Sequence, residues 1–443
     1  MDINMIEKNH RKVILQFAIP SIIAMVFTAM INLIDGYFMG NYIGKEGLAA
    51  VNLGLPIVYL YLAVGLMFAV GGVAIAGRLI GANEFDEANK VFRQTMAMCL
   101  LVTLGITVCM CILLNPISVT FNADELTRTY FKEYYLIMLF ELPMMVLVST
   151  CGMFIRGEGN PAFIMISNLL TMILNIILDY IFVKPLNLGV KGVAWASLVS
   201  SGIVLFISVM YFVKKSKIFK FGTFRFKKDT VKEMIFNGSS EFIGELSMCI
   251  SMTAYNYSVL KYAGVDGVAA FTIIGYVSYV FSMIIIGFGQ GMVPIISFLF
   301  GAKKNELAGK VRNTTMGFVS FAAVMVFVIM TCLSGWYGGL FSKNQEVISL
   351  VIPGLKIQMS SFLFAGINTI ASFYFTAEGK AKESAVISSM RGLVILLIAI
   401  LVLPLLFNIT GVWMVSLTTE VITLFFSIFF LRKERGESHR DFA

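Results

Sequence analysis

A chain of 443 residues that is 58% hydrophobic and 14% charged, with a mean hydropathy of +0.85, is not a soluble domain, in which about 25% of residues carry charge. Its formal net charge of +8 does not mark a nucleic-acid binder, because among apolar runs an excess of Lys and Arg reports orientation across a membrane. The two histidines, His10 and His439, stand in the terminal tails, which excludes histidine-based catalysis or metal chemistry within a bilayer.

Apolar runs fall near residues 13–41, 50–78, 94–116, 131–155, 162–183, 190–213, 234–261, 266–300, 313–340, 347–376, 384–408 and 411–431. A run of about 20 residues crosses a hydrocarbon core of roughly 30 Å as a helix. The predicted class is therefore an all-α polytopic membrane protein with twelve transmembrane helices. The first run follows His10, Arg11 and Lys12, is too long for a signal peptide and contains Pro20 and Asp35; it reads as a permanent helix. Pro20, Pro56, Pro143 and Pro294 lie within runs or near their ends, where neighbours satisfy the backbone groups that a kink frees. The six cysteines all fall inside apolar runs without metal-ligand spacing, and they read as small buried hydrophobes.

The most hydrophilic stretch, residues 214–233, carries eight Lys and Arg against Asp229 and Glu233. It divides an N-terminal six-helix lobe (1–213) from a C-terminal six-helix lobe with its tail (234–443). Of the 34 Lys and Arg, 26 fall in the termini, the even-numbered connections and this linker. The other eight are Lys45, Arg128, Lys132, Lys184, Lys191, Lys261, Lys343 and Lys356. That split places both termini in the cytoplasm.

The two lobes repeat each other. At an offset of 220, Gly44, Gly47, Ala49 and Ala50 fall on Gly264, Gly267, Ala269 and Ala270. The same offset lays residues 81–95 on 301–315 with six identities in fifteen, and Glu158-Gly159 on Glu378-Gly379. One residue out of register, 192–198 meets 411–417. Since each half has six helices, the halves are expected to relate by an axis along the membrane normal. Two pseudo-symmetric six-helix bundles facing a central cavity form an architecture suited to alternating access.

With these features the chain resembles the multidrug and toxic compound extrusion (MATE) family, and within it a MepA-like branch. The likeness spans all twelve runs. It rests on the repeat, the Gly-Ala connection after runs 2 and 8, the Arg156-Gly157-Glu158-Gly159-Asn160-Pro161 turn, Asp35, and the Asn175-to-Asp179 segment. The resemblance implies export of amphipathic, mostly cationic small molecules, driven by inward movement of H⁺ or Na⁺. It implies no cofactor, no metal beyond Na⁺, and a monomer whose other partner is the bilayer.

Charged groups in a bilayer cost a few kcal/mol or more, so each retained one is a functional candidate. Asp35 stands in run 1, and its repeat mate is Tyr255, so the charge belongs to the N-terminal half alone. The blander reading is an idle carboxylate that water reaches at a helix end. Asn175 and Asp179, four apart, share one helical face; the alternative is a structural ion pair with Lys184. The resemblance carries a cation site onto Asp35, Asn175, Asp179 and Ser197, where some relatives have Thr. These hard oxygen ligands suit Na⁺, while burial of a carboxyl favours taking up a proton; both ions stay open.

In the C-terminal half, another branch of the family places an acidic residue in run 10, where this chain offers Asn368. Glu241 and Glu245 are four apart in run 7, and Glu420 stands mid-run 12, resembling a glutamate of MepA-like relatives. These four are candidates for substrate or coupling-ion contact; snorkelling, or bonds to nearby Thr or backbone, are the structural alternatives. Glu141, beside Pro143, receives no role. Abundant Phe (39), Met (27) and Tyr (16) suit a repackable cavity for flat cations, although packing and lipid contact account for most of them.

Three functions compete. A flippase for lipid-linked saccharides, from the same wider superfamily, predicts cationic residues in the cavity, whereas acidic ones dominate mid-run. An ATP-driven pump or enzyme finds no support, because residues 40–46 (GNYIGKE) are one residue short of a P-loop and lack its Ser or Thr. A channel does not need the two-lobed repeat. The sequence favours a cation-coupled exporter.

Overall fold

The computed structural model describes residues 3–120, 123–223 and 226–440, side chains beyond 435 excepted. Arg225 of the linker lies outside the described residues. In chain order the helices are α1 (Ile3–Phe38), α2 (Lys45–Leu53), α3 (Leu55–Gly81), α4 (Phe85–Thr120), α5 (Glu125–Gly157), α6 (Pro161–Val183) and α7 (Val190–Lys214). After the linker follow α8 (Lys228–Gly301), α9 (Asn305–Cys332), α10 (Ser334–Phe341), α11 (Gln345–Glu378), α12 (Ala381–Ser389) and α13 (Ile395–Arg440). Five-residue π-helical turns continue α1 (Met39–Ile43) and join α12 to α13 (Met390–Val394).

The described residues contain ten continuous helical stretches apolar and long enough to cross a membrane. Two of them are double. At 74 residues, α8 would measure about 110 Å if straight, over three times a hydrocarbon core. It breaks at Gly264 (φ 59°, ψ −153°), and α13 breaks at Asn408 (φ 50°, ψ −134°). The expected twelve crossings are all present, arranged as two six-helix bundles.

The repeat is written into the backbone as well as the residues. Gly44 pairs with Gly264, Asn83 with Lys303, and Gly159 with Gly379, each at an offset of 220 and each at positive φ. Gly189 (φ 57°, ψ −135°) pairs at 219 with Asn408, whose dihedrals are nearly the same. Eight of the nine positive-φ residues among those described belong to such pairs; Asn187 does not. Asn is the non-glycine residue best suited to that region, which explains why it can stand where the other half has Gly.

The ends of the helices that meet the linker (the linker end) hold the bundles together. There α3 lies directly on α8: a Cβ at Gly71 would run into the carbonyl oxygen of Met234, and one at Gly238 into that of Met67. Gly81 and Gly301 meet Phe298 and Arg78 in the same way, and Gly287 and Gly291 seat α8 on Ile22 and Ala18 of α1. Small residues let membrane helices approach to backbone contact, where dispersion drives association. Ion pairs across this seam, Arg78–Glu233 (2.7 Å) and Lys304–Glu7 (2.9 Å), are half-exposed and contribute about 0–1 kcal/mol each. Glycine packing therefore does most to hold the seam closed. Nearer the far end, Asn32 of α1 donates to Tyr279 of α8 across the same seam at 3.4 Å.

The linker is not a loose tether. Phe219 is buried against Phe92 and Phe154, with ring centroids 5.2 and 5.1 Å away, and such pairs contribute about 0.5–1.5 kcal/mol beyond burial. Glu158 accepts from the backbone N–H groups of Lys217 and Ile218 (both 2.7 Å), and Arg93 donates to the carbonyls of Lys220 and Thr223. Its first half is thus docked on the N-terminal bundle.

Candidate functional site

Asp35 lies near the far end of α1, just before the π-helical turn, a form that often marks functional positions. Its partners come from two other helices. Pro161 at the first helical position starts α6, which then carries Asn175 and Asp179 on one face; Gly189 turns the chain into α7, which carries Ser197. Ser197 Oγ donates to Asp35 Oδ2 (3.4 Å), and Asn175 Nδ2 donates to Ser197 Oγ (3.3 Å). The Asp179 carboxyl reaches the Asp35 carboxyl within hydrogen-bonding distance. All four residues singled out from the sequence therefore meet in one place.

Asp179 is 0% exposed and Asn175 1%. Asp35 Oδ1, Asn175 Oδ1 and both Asp179 oxygens are buried without a hydrogen-bond partner. Lys184, the alternative partner for Asp179, lies instead over the Tyr180 ring, 5.3 Å from its centroid. Among the described residues no ion pair reaches either aspartate. The site is a set of acceptor oxygens with one hydroxyl and one amide as donors.

Glu141 of α5 lies in the same bundle, 4% exposed, and Ser201 Oγ of α7 donates to its Oε1 (2.7 Å). Ser201 carried no sequence signal beyond standing four residues after Ser197.

In the C-terminal bundle the equivalent frame is present without the charge. Tyr255, the mate of Asp35, bonds Ser416, the mate of Ser197, at 2.7 Å. The mates of Asn175 and Asp179 are Ile395 and Ala399. Polar residues gather instead around Glu420. Arg391 Nε donates to Glu420 Oε1 and its Nη1 to Thr369 Oγ1 (2.6 Å); Asn368 Nδ2 donates to Glu420 Oε2 (2.8 Å), and Ser427 Oγ donates to Asn368 Oδ1 (2.8 Å). Both oxygens of Glu420 are satisfied. A bond to nearby Thr, expected as the structural alternative for Glu420, is replaced by this guanidinium.

Arg391 is the intramembrane cation that the sequence reading missed. The charge count assigns it to a connection beside Lys380 and Lys382, but it lies in the π-helical turn after α12, inside the eleventh crossing. Glu241 and Glu245 of α8 have no hydrogen bond or ion pair among the described residues. Glu245 lies near Tyr59 of α3 and Tyr279 of α8, and Glu241 lies near Glu245 and Arg391, so both stand beside the seam between the bundles. The reading of every cysteine as buried holds for Cys99 and Cys151, whereas Cys109, Cys111 and Cys332 lie on the outer surface, where their spans face the bilayer and an apolar thiol costs little. Residues 40–46 fall on the π-helical turn and the Gly44 break, not on a strand-to-helix loop.

Two pseudo-symmetric six-helix bundles, packed backbone to backbone at the linker end, with uncompensated carboxylates inside one of them, fit a multi-pass membrane transporter. The MatE family profile matches residues 20–181 and 242–405, once in each half. The chain belongs to the MatE family. It is 26% identical over 435 residues to the multidrug export protein MepA of Staphylococcus haemolyticus, covering 98% of this chain and 95% of that one. To MepA of Staphylococcus saprophyticus it is 24% identical over 413 residues, covering 93% and 91%. A multidrug resistance MATE family transporter of the MOP superfamily, solved in an outward-facing conformation, superposes with a TM-score of 0.92 at 22% identity, covering 97% and 96%. A MOP superfamily transporter from Pyrococcus furiosus, described as having a binding pocket of reverse polarity, superposes at 0.90 and 22%, covering 96% and 95%.

Proposed function

We propose that the chain exports amphipathic, mostly cationic small molecules in exchange for H⁺ or Na⁺, by alternating access, with the coupling ion held at Asp35, Asn175, Asp179 and Ser197. The observation that carries this reading is the set of four buried acceptor oxygens with no partner. Two contacting carboxylates in a dry site cannot both stay charged without a counter-ion. A proton shared between them, or Na⁺ among the carboxylate, amide and hydroxyl oxygens, resolves that conflict. To drive export, the ion must bind the substrate-releasing state better than the other.

The substrate's place in this reading is the seam between the bundles, beyond its glycine-packed end. Glu241 and Glu245 supply negative charge there, and Tyr59 and Tyr279 supply ring faces that attract a cation. The names of the MepA relatives support export of several drugs. The positive-charge bias supports both termini in the cytoplasm of a cell whose cytoplasmic membrane holds the protein, so the glycine-packed end of the seam is the inner one. The lobes 1–213 and 234–443 move as single bodies about the linker 214–233, in a monomer. The flippase alternative needs a free cation between the bundles; Arg391 is committed to Glu420, so that alternative would rest on Arg156, buried at the seam with a bond to Gln290 and its Nε unpartnered.

The test is efflux of ethidium from proteoliposomes, with a pH gradient and a Na⁺ gradient imposed separately on wild type and Asp35→Asn. Transport under one gradient, abolished by the substitution, names the ion. Wild-type transport that Asp35→Asn leaves intact removes Asp35 from coupling and moves attention to Glu241, Glu245 and Glu420. Transport under neither gradient overturns the exporter reading and makes lipid-linked saccharides the next substrate.

A further inference from the structure

Glu141 is buried at the middle of α5 with one donor, Ser201, and its second oxygen, Oε2, has no partner. Its surroundings hold no cation among the described residues. The titratable groups that face it are Asp35 from α1 and Tyr134 from its own helix, with Asp179 of α6 reached through Tyr134. From α3, Tyr61 is turned aside to Thr107 of α4, and Cys99 of α4 is bonded to Thr150. From α7 comes only the Ser201 hydroxyl. A bare buried charge costs several kcal/mol, whereas one unsatisfied buried hydroxyl costs about 1–3 kcal/mol, so a proton on Glu141 is the smaller of the two penalties. With a single hydroxyl beside it and no amide or second carboxyl in contact, the position lacks the ligand set that Na⁺ would need.

Ser201 also joins Glu141 to the site above it. Ser197 and Ser201 are four apart on one face of α7, separated by about 6 Å of helix rise, a gap that one water bridges. Ser197 bonds Asp35, and Ser201 bonds Glu141. Since α7 runs from the far end to the linker end, Glu141 is the inner member of the two.

We propose that Glu141 and Ser201 form a second proton-binding station of the N-terminal bundle, one helical turn inward of the Asp35–Asp179 pair. The step is a relay: Ser201 passes its hydroxyl proton to Glu141 Oε1 and is reprotonated from the Ser197 side, so the outer carboxyl pair loses one proton and Glu141 gains it. This rests on the reading that the outer cluster couples transport to an ion, in its H⁺ form.

The test uses the full chain in lipid nanodiscs and proteoliposomes. Substrate-induced infrared difference spectra are recorded for wild type, Asp35→Asn and Glu141→Gln, in the C=O stretch of protonated carboxyls. One band is expected to vanish in Glu141→Gln and persist in Asp35→Asn. Transport under a pH gradient should fall by about a hundredfold in Glu141→Gln, the lower end of what a positioned proton carrier contributes, with ethidium affinity unchanged. A band that survives Glu141→Gln, or one that vanishes while transport continues at the wild-type rate, overturns the station. If Glu141→Gln fails to fold, Ser201→Ala replaces it: a displaced pH–rate profile is expected, and an unmoved one overturns the proposal. Failure of the coupling reading itself shows elsewhere, as wild-type transport under neither gradient.

Discussion

The two bundles share a frame and differ in where they keep positive charge. In the N-terminal bundle, Ser197 meets Asp35 and no described cation answers the carboxylates. In the C-terminal bundle, Ser416 meets Tyr255, and the buried glutamate one helix away has its guanidinium built in. A site whose counter-ion is part of the chain cannot exchange it, and a site without one must take it from solution. Under the proposed reading, the repeat supplies one half that responds to an ion and one that holds its shape.

The largest expected effect comes from supplying the missing charge balance by mutation. Asp179→Asn removes one of the two contacting carboxylates, and coupling-ion affinity should fall by about 2–5 kcal/mol, as for truncated buried charge pairs. Gradient-driven ethidium efflux measures it; unchanged efflux would make the two bundles functionally alike. Next is Arg391→Leu, which leaves Glu420 buried without its cation and should destabilise the protein by about 2–3 kcal/mol, less than for a fully buried pair because Arg391 is one-third exposed. The double variant Arg391→Leu/Glu420→Leu should recover most of that loss in thermal unfolding. A double variant as unstable as the single one would mean that the network acts through Asn368 and Ser427 instead.

A smaller effect is expected at the seam. Gly238→Ala puts a methyl against the Met67 carbonyl and should weaken the closed linker end by about 1–3 kcal/mol, the usual range for overpacking. Spin labels across α3 and α8 would report a longer distance. The smallest effect concerns two caps that are repeat mates. Asp124 caps α5, and Asn344 caps α11. The Thr127 hydroxyl and then its backbone N–H hold the Asp124 carboxyl below its ordinary range. Its contribution is therefore present above the ordinary aspartate value and is lost as pH falls through the lowered one. The stability gap between wild type and Asp124→Ala should close in acid, and the gap for Asn344→Ala should not.

Most of this arrangement is legible in the sequence because the membrane leaves few ways to hide a charge. Asp35, Asn175 and Asp179 stand out against apolar neighbours, and the offset of 220 locates Tyr255 without coordinates. Arg391 was hidden by its company: ten residues into a helix, but close enough to Lys380 and Lys382 to be counted with them. The role of Ser201 was illegible because serine is common in helix packing, and only geometry tells a hydroxyl aimed at a carboxylate from one bonded to its own backbone, as Ser208 is to Val204. The glycines of the seam were illegible, because which backbone each one meets is a tertiary fact.

The anchoring of the linker has a mechanical consequence. The Lys227 carbonyl accepts from Gln94 of α4 at 2.9 Å, and α8 starts at the next residue. The C-terminal bundle therefore hangs from the N-terminal one with no slack, as a beam hangs from a pin. The first arm of α8, down to Gly264, is about 54 Å long at 1.5 Å per residue. Each degree of tilt about that pin carries its free tip roughly 1 Å. Under the alternating-access reading proposed above, a swing that leaves the fulcrum in place has its largest effect at that tip.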